Sequence, residues 1–285
     1  MRKTIFVLIC IVAFARVGAA TPVALYSNLA VDGRMAAAGR TDGTPGVVEI
    51  EPADDFTFIG SAARVTEVKF IGLLTNGAAL SDLKDINLEF YRVFPNDSTD
   101  PPSGKVPTRV NSPSDVAFAE VSGVGNLTSL TATLIAPNIT EANSVKNGIF
   151  PKPNQQTLGE GPVTGNEFLF DAVFSSPVLL PSDHYFFVPQ ISLSRGGSDF
   201  YWVSASRPIV PPGTPINPDL QAWIRNGNLD PDWLRIGTDI IGGATPPTFN
   251  MAFEIVGEAV PEPGTLLLVG SGVAIAVRRY RRRKS

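Results

Sequence analysis

Short β-favouring segments, separated by turns rich in proline and glycine, constrain the fold of this chain more than any other feature. The 285 residues include 25 prolines and 26 glycines, and the Asp-Gly-Thr-Pro-Gly run at 42–46 supplies the fixed and positive φ angles that tight turns need. The clearest strand-like runs are 64–74, 86–94, 167–174, 184–194 and 200–205. Many short strands with almost no helix predict an all-β fold, an antiparallel β-sandwich with jelly-roll-like topology.

Residues 219–225 are the one stretch of the body for which the spacing predicts a short helix. Asp219 can cap its first turn, and Leu220, Trp223 and Ile224 follow the i, i+3, i+4 spacing of an apolar helix face. We therefore expect one short helix within the otherwise all-β body.

Two long stretches, 95–113 and 137–164, are rich in proline, asparagine and glycine and are predicted as loops. The second stretch could be a linker between two subdomains, but the strand-like segments on both sides of it have the same character. The sequence therefore predicts one domain over residues 21–258.

The segment 1–20 is typical of a secretory signal peptide. Arg2 and Lys3 precede a short apolar run, and small residues follow it at 17–20. The only cysteine, Cys10, lies within the apolar run, so the exported part has no cysteine and must be stable without disulfides.

The formal charge is unevenly distributed along the chain. Residues 21–258 contain 14 basic and 26 acidic residues, a net charge of −12. A body with this charge is not expected to bind nucleic acid or anionic polysaccharide through electrostatic attraction.

The last segment, 259–285, has three parts in a fixed order: a polar motif, an apolar run at 264–277 and a basic stop. As a helix the apolar run would be roughly 21 Å long, which is short for a hydrocarbon core of about 30 Å. The basic side chains that follow resist crossing, so the run predicts a marginal C-terminal hydrophobic helix that ends in the cytoplasm. The polar motif is Val260, Pro261, Glu262 and Pro263, and the basic stop is Arg278, Arg279, Arg281, Arg282, Arg283 and Lys284.

This order of parts resembles the PEP-CTERM sorting signal of Gram-negative bacteria. The resemblance implies recognition and processing by an exosortase, an integral-membrane cysteine protease, in a host that makes exopolysaccharide and biofilm. It also implies transient anchoring in the inner membrane through residues 264–277, followed by placement at the cell surface or in the extracellular matrix. The body is similar, more weakly, to the sandwich-like domains that precede such signals, through 53–56 and 65–70. An ordinary single-pass anchor is the alternative interpretation.

The residue types that carry most enzyme chemistry are scarce in the exported part. It has one histidine, His184, and no cysteine, which excludes Cys-His nucleophilic sites and multi-histidine metal sites. His184 lies at the start of a strand and is interpreted as structural, and the chain has no phosphate-binding loop or dinucleotide fingerprint. We therefore expect a non-enzymatic exported protein with no catalytic, cofactor-binding or metal-ligating residue assigned, and no cofactor.

Two further functions stay open at this point. Trp233 has polar neighbours and is the candidate glycan platform of a carbohydrate-binding module in the exopolysaccharide matrix. A glycan-active hydrolase would need two carboxylates facing each other. The candidate pairs are Asp54 with Asp55, Glu49 with Glu51, and Asp230 with Asp232.

Overall fold

The computed structural model describes residues 21–41, 48–58, 62–99, 104–150, 156–206 and 221–260. Within these ranges the chain forms two β-sheets with short helical turns at Leu80–Asp82, Val124–Asn126 and Ile236–Ile241. The strands are β1 (Val23–Asn28), β2 (Val31–Ala38), β3 (Ile50–Thr57), β4 (Ala62–Leu74), β5 (Leu83–Arg92), β6 (Ala119–Ser122), β7 (Leu127–Glu141), β8 (Asn143–Val145), β9 (Val163–Leu180), β10 (His184–Leu193), β11 (Phe200–Ala205), β12 (Trp223–Asn226), β13 (Leu234–Arg235), β14 (Asn250–Met251) and β15 (Phe253–Val260).

The larger sheet is organised around β4. One edge of β4 pairs with β9 along most of its length, and the other edge pairs first with β15 and then with β11. β7 extends the sheet beyond β9, and β1 extends it beyond β15. Phe70 on β4 lies opposite both Phe170 on β9 and Phe253 on β15, so one aromatic row crosses the centre of the sheet.

The smaller sheet has the strand order β13-β12-β3-β10-β5-β6. Its inner face packs on the larger sheet through aromatic rings: Phe187 of β10 contacts Phe253 at 5.5 Å and Trp202 at 5.8 Å between ring centroids. Because alternate residues of a strand point to opposite faces, the intervening residues of β10 face away from this core. The expected all-β sandwich is confirmed; its jelly-roll-like topology stays a prediction.

The outer face of the smaller sheet is buried too, and it forms a second apolar core. The segments 114–118 and 230–233 lie over it. The residues of this core are Ala53, Tyr91, Phe186, Val188, Trp223 and Trp233. Within the predicted loop 95–113, Arg109 lies 3.2 Å from Asp232, so this part of the loop contacts the segment that covers the smaller sheet.

The helix predicted at 219–225 is wrong for the part of it that the structure describes. Trp223–Asn226 is strand β12, in which Ile224 lies opposite Pro52 of β3 and Leu234 of β13. All four residues of β12 are buried, because Ile224 belongs to the inner core and Trp223 to the outer core. An apolar run that is buried on both faces cannot be assigned from helical spacing alone.

Several sequence-based predictions fall on residues that the structure does not describe. They are the signal peptide at 1–20, the hydrophobic helix at 264–277 and the basic stop. Within the described ranges, no helix is long and apolar enough to cross a membrane.

Candidate functional sites

The last described strand runs directly into the C-terminal tail. β15 is paired on both edges, with Ile255 opposite Tyr26 of β1 and Val68 of β4. The pairing continues to Val260, which lies opposite Ala62. The first residue of the polar motif is therefore part of the folded sheet, two residues beyond the predicted end of the body, and Pro261, Glu262 and Pro263 lie outside the described residues. The body and the tail are joined without an intervening linker.

Trp233 is not a surface platform. Its side chain is 0% exposed, and its indole Nε1–H donates a 3.0 Å hydrogen bond to the carbonyl oxygen of Ser114. The ring meets Tyr91 edge-on at 5.3 Å between centroids and lies 4.4 Å from the guanidinium carbon of Arg225. The surface position was predicted from the polar residues beside Trp233 in sequence. In the structure Asp230 and Asp232 pair with the buried arginines Arg225 and Arg109.

A network of charged side chains lies beside Trp233 on the outer face of the smaller sheet. Glu51 of β3, Glu89 of β5 and Arg225 of β12 all project from this face. Between them the strands carry Ala53 and Val188, which belong to the same outer core. Because these two side chains are short, the longer charged side chains can meet above them.

Arg225 is the centre of this network. Its Nε and Nη2 atoms donate to the two carboxylate oxygens of Glu51, with 2.9 Å from Nη2 to Oε1. Its Nη1 atom is 2.8 Å from Oδ1 of Asp230 and donates to the carbonyl oxygens of Asp115 (3.2 Å) and Pro231 (3.3 Å). Burial lowers the pKa of Arg225, but the charge of Glu51 and its hydrogen bonds outweigh burial and raise the pKa overall. Arg225 therefore stays charged and links both covering segments to the sheet.

Glu89 is a carboxyl of the network whose pKa is raised toward neutral pH. Burial, reinforced by the nearby charge of Glu51, raises the pKa of Glu89 from 4.5 to about 8. The Tyr91 hydroxyl lies 2.8 Å from Oε1 of Glu51 and 3.2 Å from Oε2 of Glu89, and Asn87 Nδ2 donates to Oε1 of Glu89 at 2.9 Å. Burial and the charge of Glu51 also raise the pKa of Tyr91, which keeps this hydroxyl a donor.

A cavity of about 500 Å³ opens beside the network. It is lined by Glu89, Tyr91, Arg225, Asp230 and the segment 115–120. Glu51 and Glu89, the carboxyl pair of the network, are unsuited to glycoside hydrolysis, because a glycosidic bond must fit between the acid and its partner carboxylate. Here a tyrosine hydroxyl occupies that space. The geometry is that of a closed hydrogen-bond network beside an open cavity.

The first predicted carboxylate pair, Asp54 with Asp55, is divided between the two faces of β3. Asp54 Oδ2 accepts a 2.7 Å hydrogen bond from the backbone N–H of Met251. Asp55 Oδ2 lies 2.9 Å from Nε2 of His184, whose ring stacks on Phe186. The two carboxyls have separate partners and do not share a cleft.

The other two predicted pairs are also held by different partners. Asp230 contacts Arg225 and Asp232 contacts Arg109 at 3.2 Å. Glu49 accepts a 2.9 Å hydrogen bond from Gln190 Nε2, while Glu51 binds Arg225. The structure instead brings Glu51 close to Glu89, from a strand two positions away in the sheet, and no local sequence signal marks this pair. In the described part of the chain, no group of three or more His, Cys, Asp and Glu residues is arranged to hold a metal ion.

The body and its tail define a β-sandwich joined directly to a C-terminal sorting segment. Residues 259–283 match the family model described as the PEP-CTERM protein-sorting motif. The chain is thus a protein with a PEP-CTERM sorting motif, and the resemblance found in its tail is confirmed. The motif indicates an exported protein that is processed at the membrane, with exosortase as its processing partner. A comparison with curated proteins found no match.

Proposed function

We propose that the chain is a non-enzymatic protein of the surface or extracellular matrix of a Gram-negative bacterium. Its tail is held briefly in the inner membrane through residues 264–277 and is then removed by exosortase, which leaves the β-sandwich at the surface or in the exopolysaccharide matrix. The observation that carries the proposal is the sorting motif at 259–283, placed directly after a strand that completes the fold.

The course of β15 supports a cleavage site after Val260. This strand pairs with β1 on one edge and β4 on the other. A cut before it would remove a strand from the interior of the larger sheet and leave the edges of two strands unpaired, which costs their backbone hydrogen bonds. We therefore expect the mature body to keep β15 complete.

The buried network supports the non-enzymatic part of the proposal. Arg225, Glu51 and Tyr91 satisfy one another's hydrogen bonds, which is the arrangement of a structural network. The alternative function, a carbohydrate-binding module, loses its candidate platform because Trp233 is buried.

The processing part is tested by the intact mass of the chain from a strain that has exosortase and from the same strain without it. We expect a product in the first strain that ends after Val260 and lacks the basic stop, and an uncut, membrane-bound chain in the second. Replacement of Pro261, Glu262 and Pro263 by alanine should reproduce the uncut chain in the first strain. An uncut chain in both strains would overturn the proposal.

The non-enzymatic part is tested with the processed protein and the exopolysaccharide of its host. We expect no release of reducing sugar above that from heat-treated protein. Sugar release that is lost in a Glu89→Gln variant would show that the network is catalytic and would overturn this part.

A further inference from the structure

One end of the sandwich is defined by its junction with the tail, and we call it the tail-proximal end. It is formed by Val260 at the end of β15, Ala62 opposite it at the start of β4, and Leu180 at the end of β9, which lies opposite Ala63. β1 begins at the same end, because Val23 lies opposite Gly257. The tail therefore leaves the body beside the ends of three other strands.

The tail-proximal end has almost no freedom to move away from the apolar run. Only residues 261–263 separate Val260 from the run that begins at 264. The four Cα–Cα steps from Val260 to residue 264 span about 14 Å at most when fully extended. A polar headgroup layer accounts for roughly 5–8 Å on each side of the hydrocarbon core. If the run enters a bilayer, this end of the body is held at the headgroups.

The chemistry of the tail-proximal end suits that position. Leu179 is 57% exposed and Val23 is 56% exposed, and both lie within a few residues of the strand ends that define it. Leu179 lies opposite Arg64, an exposed cation on β4, and Glu258 is the acid across from Arg64 on β15. An exposed apolar side chain beside an arginine, as Leu179 is beside Arg64, is typical of surfaces that contact the lipid interface.

We propose that the tail-proximal end is a lipid-contacting surface that docks the folded body on the bilayer before processing. Leu179 and Val23 enter the headgroup region, and Arg64 meets anionic headgroups. This inference rests on the proposed function, because residues 264–277 must first enter the membrane. It goes beyond that function by assigning the face of the body that meets the lipid and by placing the cleavage site at the headgroups.

The chain offers a clean test because Cys10 is its only cysteine. In a Cys10→Ser background, Leu179→Cys places one thiol at the tail-proximal end. The control is Gly196→Cys, at an exposed position where an added Cβ meets nothing within 4 Å. Gly196 lies at the opposite end, since its neighbour Gly197 accepts a hydrogen bond from Asn76, just after β4 ends. The 13 residues of β4 separate the two ends by about 40 Å.

Each full-length variant is labelled with a fluorophore and reconstituted into vesicles of phosphatidylethanolamine and phosphatidylglycerol that carry a headgroup nitroxide quencher. We expect severalfold stronger quenching at Leu179→Cys than at Gly196→Cys. Val23→Cys should match Leu179→Cys, and it serves as the second probe if the first variant does not fold.

Flotation of the vesicles distinguishes the two ways in which the result can fail. A chain that floats with the vesicles but is quenched equally at both ends overturns the docking inference and leaves membrane insertion standing. A chain that does not float overturns membrane anchoring through 264–277, and the docking inference with it.

Discussion

Arg225 and Glu51 form a buried ion pair, with the Arg225 guanidinium donating two parallel hydrogen bonds to the Glu51 carboxylate. Arg225 is 5% exposed and Glu51 is 3% exposed, so water cannot replace either partner without opening the structure. The same guanidinium donates to backbone carbonyl oxygens in both segments that cover the smaller sheet. The Arg225 side chain thus connects both segments that lie over the outer core to strand β12 of the smaller sheet.

We predict that Arg225→Met strongly destabilises the body. The substitution leaves Glu51 as a buried carboxylate without its cation, which typically costs about 3–5 kcal/mol. The measurement is the free energy of unfolding in urea of a chain truncated after Val260, which keeps every described strand. Arg195→Met is the matched control, because the Arg195 side chain is 48% exposed in its pair with Asp82 and is screened by solvent. If Arg225→Met lowers the free energy of unfolding no more than Arg195→Met does, Arg225 does not hold the covering segments on the sheet.

Glu89 should make the stability of the body depend on pH. The pKa of its carboxyl is about 8 in the folded chain and 4.5 ordinarily, so the folded state binds more protons between these two values. The contribution of Glu89 to stability is therefore fully present below about pH 4.5 and is lost as the pH rises through about 8. Urea unfolding at a series of pH values measures this slope.

A Glu89→Gln variant should show a flatter slope than the parent chain above pH 5. Glutamine cannot ionise and resembles the protonated carboxyl, so the two proteins should agree within about 1 kcal/mol at pH 5, and the variant should be the more stable at pH 9. Glu141→Gln is a useful comparison, because burial raises the pKa of Glu141 only to about 7. Parallel slopes for the parent and Glu89→Gln would contradict the assignment.

The strand β5 shows what the sequence predicted well and where prediction stopped. It covers most of the run 86–94, which the sequence predicts as a strand, and its residues alternate between the two faces: Leu88 and Phe90 belong to the inner core and Tyr91 to the outer core. Side-chain direction in a strand is a local property of the chain, so a single segment was enough.

The burial of the other face could not be predicted in the same way. It depends on segments 114–118 and 230–233, which reach the smaller sheet only in the folded chain. The sequence predicted an exposed position for Trp233 because Asp230 and Asp232 lie beside it. In the structure these acids pair with the buried arginines Arg225 and Arg109. No local sequence pattern connects an aspartate with its arginine. The sorting motif was recognised because all of its parts are contiguous.

Trp233 should behave as a core residue when it is replaced. Trp233→Ala removes a buried ring from the outer core, which typically costs about 3–5 kcal/mol. Trp233→Phe keeps a ring but loses the hydrogen bond to the Ser114 carbonyl, at a cost of about 1–3 kcal/mol. Urea unfolding ranks the two variants, and glycan-array binding is measured on the same samples. A Trp233→Ala protein that keeps its stability but loses glycan binding would restore the surface-platform interpretation.

Gly72 on β4 tests how closely β4 and β11 must approach. It lies opposite Trp202, and an added Cβ would be 2.8 Å from the carbonyl oxygen of Tyr201 and would overlap the ring of Phe200. Because the Tyr201 carbonyl is backbone and cannot rotate away, Gly72→Ala must push β11 away from β4, and such overpacking typically costs about 1–3 kcal/mol. Gly125→Ala is the control, since an added Cβ there meets nothing within 4 Å. Equal free energies of unfolding for the two variants would mean that β11 can shift away from β4 without loss of stability. The close approach of β4 and β11 would then not be needed for the stability of the larger sheet.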